Sequence, residues 1–158
     1  MTDFFKKNRV TNPDVAEDGV WVTGVYQGML DVKVRRTNSN KAQEVMRRLH
    51  KPYRAMRNIP PSKTQEINRQ WVAEGVLIDW RPSEDCPADV AKQVPACTTE
   101  NAVQAFRDDP DFLEEVIGFA HEAETFRAER LEEEGKPSSN TSSGSSDGAS
   151  TKASSSAA

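Results

Sequence analysis

The sequence has few of the residues, and none of the short motifs, that most enzyme classes need. Its 158 residues include two histidines and two cysteines. Neither a GxxxxGK[ST] nor a GxGxxG run occurs, so the two common phosphate-binding loops are absent. His121-Glu122 begins like the HExxH zinc motif, but Thr125 stands where the second histidine would be. We therefore expect no catalytic, cofactor-binding or metal site, and a protein that is not an enzyme.

Long apolar runs and a cysteine framework are also missing. No run approaches the roughly 18 to 20 apolar residues that span a bilayer, and the N-terminus lacks the apolar segment of a secretion signal. Cys86 and Cys97 have a spacing unlike that of a zinc knuckle, and two reduced thiols are favoured over a disulfide. The sequence predicts a cytosolic chain that makes no membrane contact.

Composition indicates one domain with flanking segments. At 35% hydrophobic and 29% charged residues, the chain can build one core but not two. Residues 1–19 are polar and predict a loosely ordered arm with Phe4 and Phe5 as anchors. Residues 20–134 predict a single α+β domain, and residues 135–158 a disordered Ser-rich tail, since they hold almost no apolar side chains. The expected fold is predominantly helical, with an N-terminal β-hairpin covered by about four helices.

The hairpin is predicted by alternating apolar residues. Val20 and Val22 precede a glycine-containing break, and Leu30, Val32 and Val34 follow it. Two period-two runs around a turn are typical of paired strands with one apolar face.

The first predicted helix follows a cap at Asn38 or Ser39 and should kink at Pro52. Its inward stripe comprises Ala42, Val45, Met46, Leu49, Tyr53 and Met56. Its opposite, basic face comprises Arg47, Arg48, Lys51, Arg54 and Arg57. This face could bind nucleic acid through phosphates, but a solvated or internally paired face is favoured, because the pI of the chain is near 5.3.

A second helical pattern runs from Lys63 through the apolar stretch Trp71–Trp80. Gly75 within it indicates close approach of a neighbour, for which the hairpin or the last helix are candidates. Asp79 is interpreted as an acid at the helix end, paired with an arginine rather than functional.

Two further helices are predicted near the end of the domain. Thr98 is a cap for a short helix that Asp109-Pro110 stops, and Pro110 then opens the last helix, whose apolar residues begin with Phe112.

Four short segments, in this order, resemble the tail assembly chaperones of long-tailed bacteriophages. They are Lys33-Val34-Arg35-Arg36, Lys51-Pro52-Tyr53, Leu77-Ile78-Asp79-Trp80 and Thr98-Thr99-Glu100-Asn101-Ala102. The resemblance implies a non-enzymatic protein of the host cell cytoplasm, absent from the mature virion. Such a protein binds the tape measure protein, keeps it soluble and promotes polymerisation of the tail tube around it.

The resemblance also implies partners and a binding groove. A frameshift-extended form would recruit the tail tube protein, and further copies of the chain are an open alternative as partners. The candidate groove residues are Met46, Leu49, Tyr53, Met56 and Trp71, since methionine adapts to varied partners, although a plain core role for them is equally open. The alternative functions are a small virion structural or connector protein and, less favoured, a nucleic-acid-binding module.

Overall fold

A computed structural model describes residues 3–127 of the chain. Within this range lie α1 (Asp3–Lys7), α2 (Pro13–Asp18), β1 (Val20–Val25), β2 (Leu30–Val34), α3 (Asn40–His50), α4 (Pro61–Trp71), β3 (Leu77–Pro82), α5 (Ala88–Ala91), α6 (Thr99–Asp108) and α7 (Pro110–His121). The predicted α+β fold, mainly helical with a small antiparallel sheet, is confirmed. The tail at 135–158, for which disorder was predicted, lies outside the described residues.

The sheet has the order β1-β2-β3, so β2 is its central strand. Both pairings are antiparallel, with Val32 of β2 opposite Val22 on one side and opposite Trp80 on the other. The register between β2 and β3 also places Asp31 opposite Arg81, whose Nε donates to Asp31 Oδ2 at 3.3 Å. Opposite charges at facing positions stabilise that register.

The third strand corrects the prediction of a helix from Lys63 to Trp80. The α-helix ends at Trp71, a π-helical turn covers Val72–Val76, and the chain then becomes extended at Leu77. Asp79 therefore lies in β3 rather than at a helix end, and its carboxylate accepts a hydrogen bond from the Trp80 N–H at 2.8 Å. The strand forms because β2 offers a free edge, and backbone pairing there outweighs the local helical pattern.

Helix α3 begins as predicted and ends earlier than predicted. Ser39 caps it, because Ser39 Oγ accepts from the Ala42 N–H at 3.2 Å. The α-helix stops at His50, since Pro52 cannot donate to the preceding turn, and a 3₁₀ turn occupies Lys51–Tyr53. The expectation that the inward stripe continues to Met56 is wrong, as that side chain is 47% exposed.

The π-helical turn packs directly on α3 through Gly75. A Cβ added to Gly75 would lie 3.1 Å from the Cα of Ala42 and 3.3 Å from the Cβ of Val45. The predicted close approach at Gly75 is confirmed, but its neighbour is α3 rather than the hairpin or the last helix.

Helices α6 and α7 close the core over the sheet. Thr98 Oγ1 accepts from the Asn101 N–H at 3.1 Å, as the predicted cap requires. Asp109 caps α7 by accepting from the backbone N–H groups of Asp111 and Phe112. Phe106 of α6 is fully buried, and α7 contributes the buried side chains of Phe112, Leu113, Val116 and Ala120.

The N-terminal segment has two parts. Residues 3–10, which include α1, are all exposed. From Thr11 onward the chain contacts the rest of the fold, since the Asn12 N–H donates to the Phe126 carbonyl at 3.2 Å and the Arg36 N–H to the Ala16 carbonyl at 3.1 Å. The core thus includes α2, which lies in the segment that the sequence indicated as an arm.

Candidate partner-binding site

An open apolar depression lies between α3 and the end of α4. We call it the α3 depression; it has a volume of about 440 Å³. It is lined by Thr37, Ala42, Gln43, Met46, Arg47 and Trp71. The Trp71 ring is fixed there because its Nε1–H donates to the Ala42 carbonyl at 2.9 Å.

The predicted groove residues do not all meet in this depression. Met46 and Trp71 both line it and are half-buried, so the structure brings these two together. Leu49 and Tyr53 are half-buried farther along, and Met56 is exposed; none of the three is part of the lining. The groove is therefore shorter than the helical spacing suggested, because α3 ends at His50.

The predicted basic face is exposed along its whole length, from Arg47 to Arg57. Arg48 forms an ion pair with Glu74, which also accepts from the side chain of Gln70. The other four residues of the face form no ion pair within residues 3–127. One of them, Arg47, also borders the α3 depression, so an apolar opening and positive charge adjoin each other.

A second opening, the aromatic pocket, was missed by the sequence interpretation. It has a volume of about 300 Å³ and lies where the β1–β2 turn, β3, the α5 region and the start of α7 meet. The lining residues are Tyr26, Met29, Leu30, Trp80, Val90, Gln93, Val94, Pro95, Ala105, Asp108, Asp109 and Phe112. The ring of Phe112 lies 5.0 Å from that of Tyr26 and 6.4 Å from that of Trp80, which makes the wall largely aromatic.

The charged groups of the aromatic pocket are all acidic. Asp108 and Asp109 belong to its lining, and none of the lining residues, all within the described range, is basic. Burial raises the pKa of Tyr26 above its usual value, and a hydrogen bond with Asp109 and the charges of both aspartates raise it further. An apolar ligand bearing positive charge therefore suits this pocket.

The histidines and cysteines considered for metal binding or catalysis do not come together in a site within the described residues. Within residues 3–127 no three His, Cys, Asp or Glu side chains are grouped to hold a metal ion. His121 Nδ1 lies 3.4 Å from Thr37 Oγ1, and both cysteines are free. Burial and the charge of Asp79 raise the pKa of Cys97 to about 11, so this thiol is protonated at neutral pH. None of the described helices is both long and apolar enough to cross a membrane.

One comparison with known proteins gives a match. The family described as YdaY prophage protein matches residues 36–136, a range that contains α3 to α7 and the entire α3 depression. The match identifies the chain as a phage-derived protein. Since more than half of the chain is covered, the chain belongs to the YdaY prophage protein family. Searches of curated proteins and of solved structures found no match.

Proposed function

We propose that this phage-derived protein is a tail assembly chaperone of a long-tailed phage. In this role it binds the tape measure protein, keeps it soluble and promotes polymerisation of the tail tube around it. The proposed role involves no catalysis, takes place in the host cell cytoplasm and leaves the protein out of the mature virion. A frameshift-extended form would bring in the tail tube protein.

The observation that carries the proposal is the α3 depression with the basic face beside it. An amphipathic helix binds a groove through apolar side chains three and four residues apart. Met46 and Trp71 provide an adaptable apolar surface for one or two such side chains. The surface is short, so a single site would bind weakly, and a long apolar helix would have to be held by several copies of the protein.

The exposed charges next to the depression indicate what the bound helix should look like. Arg47, Lys51 and Arg54 are exposed on the same segment as Met46 and can pair with acidic side chains flanking an apolar stripe. The proposed client segment is therefore a helix with an apolar stripe bordered by Asp or Glu, and its association should slow as salt screens these charges.

Co-expression with the tape measure protein of the same phage tests the proposal. Wild-type protein should keep the tape measure protein in the soluble fraction and elute with it in a large complex. Met46→Glu should abolish this, because it places a carboxylate where an apolar side chain of the bound helix would pack. Gln65→Glu is the matched control: it adds the same charge at an exposed position of α4 outside the lining. A tape measure protein that stays insoluble with the wild type refutes the proposal.

The unpaired part of the basic face favours one alternative, a nucleic-acid-binding module. Arg47, Lys51, Arg54 and Arg57 are available for phosphates within the described structure. Binding of duplex DNA that weakens steeply between about 50 and 200 mM salt would support this alternative. If the protein does not bind duplex DNA even at low salt, the nucleic-acid-binding alternative is excluded. The other alternative, a virion structural or connector protein, predicts that the chain is present in purified particles.

A further inference from the structure

The N-terminal arm, residues 3–10, presents an aromatic pair to solvent. Phe4 is 64% exposed and Phe5 is 73% exposed, and their rings pack edge to face with centroids 5.3 Å apart. The hydrogen bonds of the arm are internal, from the backbone and side chain of Asn8 to the Phe4 carbonyl. Two adjacent exposed phenylalanines are costly in water, and a patch of this kind on a folded protein indicates a binding surface.

The chemistry of the arm is complementary to that of the aromatic pocket. The arm combines two phenyl rings with the exposed cations Lys6, Lys7 and Arg9. The pocket combines Tyr26, Trp80 and Phe112 with the carboxylates of Asp108 and Asp109. Aromatic rings prefer edge-to-face contacts of the kind that Phe112 already makes, and a lysine beside the ring would lie near the acidic rim.

The pocket and the point where the arm leaves the fold lie near opposite ends of α7. The pocket includes Asp109 and Phe112 at the N-terminal end of α7. The arm leaves the fold at Thr11, which forms a bridge with Arg127 beyond the C-terminal end of α7. The helix between them has 12 residues and is therefore about 18 Å long. In the structure the arm is exposed and leaves the pocket of its own chain open.

We infer that the arm of one copy docks into the aromatic pocket of a second copy. A phenyl ring of Phe4 or Phe5 enters the pocket, and Lys6 or Lys7 pairs with Asp108. Two copies that exchange arms form a closed dimer with two-fold symmetry, whereas one-way, head-to-tail docking is heterologous and produces rings or filaments. The α3 depression takes no part, so this inference stands or falls separately from the chaperone proposal.

Sedimentation velocity of the full chain over a range of concentrations tests this inference. The wild type should show a concentration-dependent increase in sedimentation coefficient. The Phe4→Ser/Phe5→Ser variant should associate at least roughly tenfold more weakly, because the buried apolar area is lost. Asp108→Lys should also weaken association, since it repels the lysines of the arm. Glu100→Lys, at the exposed opposite end of α6, is the matched charge control and should behave as the wild type.

A mixing experiment separates docking between copies from docking within one chain. The double serine variant keeps an intact pocket, and Asp108→Lys keeps an intact arm. At a concentration where the wild type associates, each variant alone should sediment mainly as a monomer, and their mixture should form a one-to-one complex. A wild type that remains monomeric throughout the concentration range, serine variants that associate as tightly as the wild type, or a mixture that remains monomeric would each overturn the inference. Circular dichroism of each variant checks that the fold is retained.

Discussion

Replacing Gly75 by alanine probes the contact that fixes α3 on the π-helical turn. The added Cβ would meet the Cα of Ala42 at 3.1 Å and the Cβ of Val45 at 3.3 Å. The nearest atom belongs to the backbone of α3, so the helix itself has to move. Gly118 on α7 is the natural control, because a Cβ added there would have no atom within 4 Å.

The two substitutions should change the free energy of unfolding in opposite directions. Alanine is favoured over glycine in a helix by about 0.5–1 kcal/mol, and this gain applies in full to Gly118→Ala. At Gly75 the same gain is opposed by overpacking, which costs about 1–3 kcal/mol. We expect Gly75→Ala to destabilise the protein by about 1 kcal/mol, and Gly118→Ala to stabilise it by about 0.5–1 kcal/mol.

Urea unfolding followed by circular dichroism measures both effects. The midpoint should fall for Gly75→Ala and rise for Gly118→Ala, with the slope m unchanged. If Gly75→Ala raises the midpoint as Gly118→Ala does, the close contact with α3 does not exist as described. Because Ala42 also lines the α3 depression, the proposed chaperone function predicts that Gly75→Ala weakens binding of the tape measure protein, whereas Gly118→Ala does not.

Three further predictions concern single side chains. In a Cys86→Ala variant, Cys97 should react slowly with iodoacetamide at pH 8, because burial and the nearby carboxylate of Asp79 raise its pKa to about 11. The reaction rate should rise about tenfold per pH unit up to about pH 11. Equal rates in native and urea-unfolded protein would contradict this. Phe106→Ala should lower the free energy of unfolding, measured in urea, by about 3–5 kcal/mol, because the ring is fully buried. A decrease of less than about 1 kcal/mol would argue against that burial. Trp71→Phe removes the hydrogen bond to the Ala42 carbonyl and should lower the free energy of unfolding by about 1 kcal/mol. The proposed chaperone function predicts weaker binding of the tape measure protein by this variant as well, and unchanged stability and binding would remove Trp71 from the site.

Local sequence signals predicted those elements that depend on local interactions. The hairpin followed from alternating apolar residues, and the predicted caps at Ser39 and Thr98 act within three residues of the chain, so their geometry is encoded in the neighbouring sequence. Asp109 was predicted only to stop the preceding helix, and its role as the cap of α7 was missed. Pro52 was predicted to kink α3, whereas α3 ends at His50; the end was placed too late because the apolar spacing continues to Met56 while the helical backbone does not.

The third strand and the aromatic pocket depend on distant residues, which explains why neither was predicted. Leu77, Ile78 and Trp80 fit a helical stripe as well as a strand, and only pairing with β2 decides between the two. The aromatic pocket collects residues from turns and helices far apart in sequence, such as Tyr26 and Phe112. Met46 and Trp71 were each predicted from the apolar stripe of their own helix, α3 and α4, whereas the contact between the two helices that brings them together is not a local signal.

The central position of β2 has a consequence for how the protein folds. β1 and β2 are neighbours in sequence, but β3 follows only after residues 35–76, which contain α3 and α4. During synthesis the hairpin leaves the ribosome with one edge of β2 unpaired, and that edge stays open until two helices have been made. Closing such a long loop slows folding and leaves an apolar hairpin exposed for a time. Many chains synthesised at the same time would therefore place many unfinished hairpins close together, and the time needed to synthesise residues 77–82 would govern the yield of folded protein.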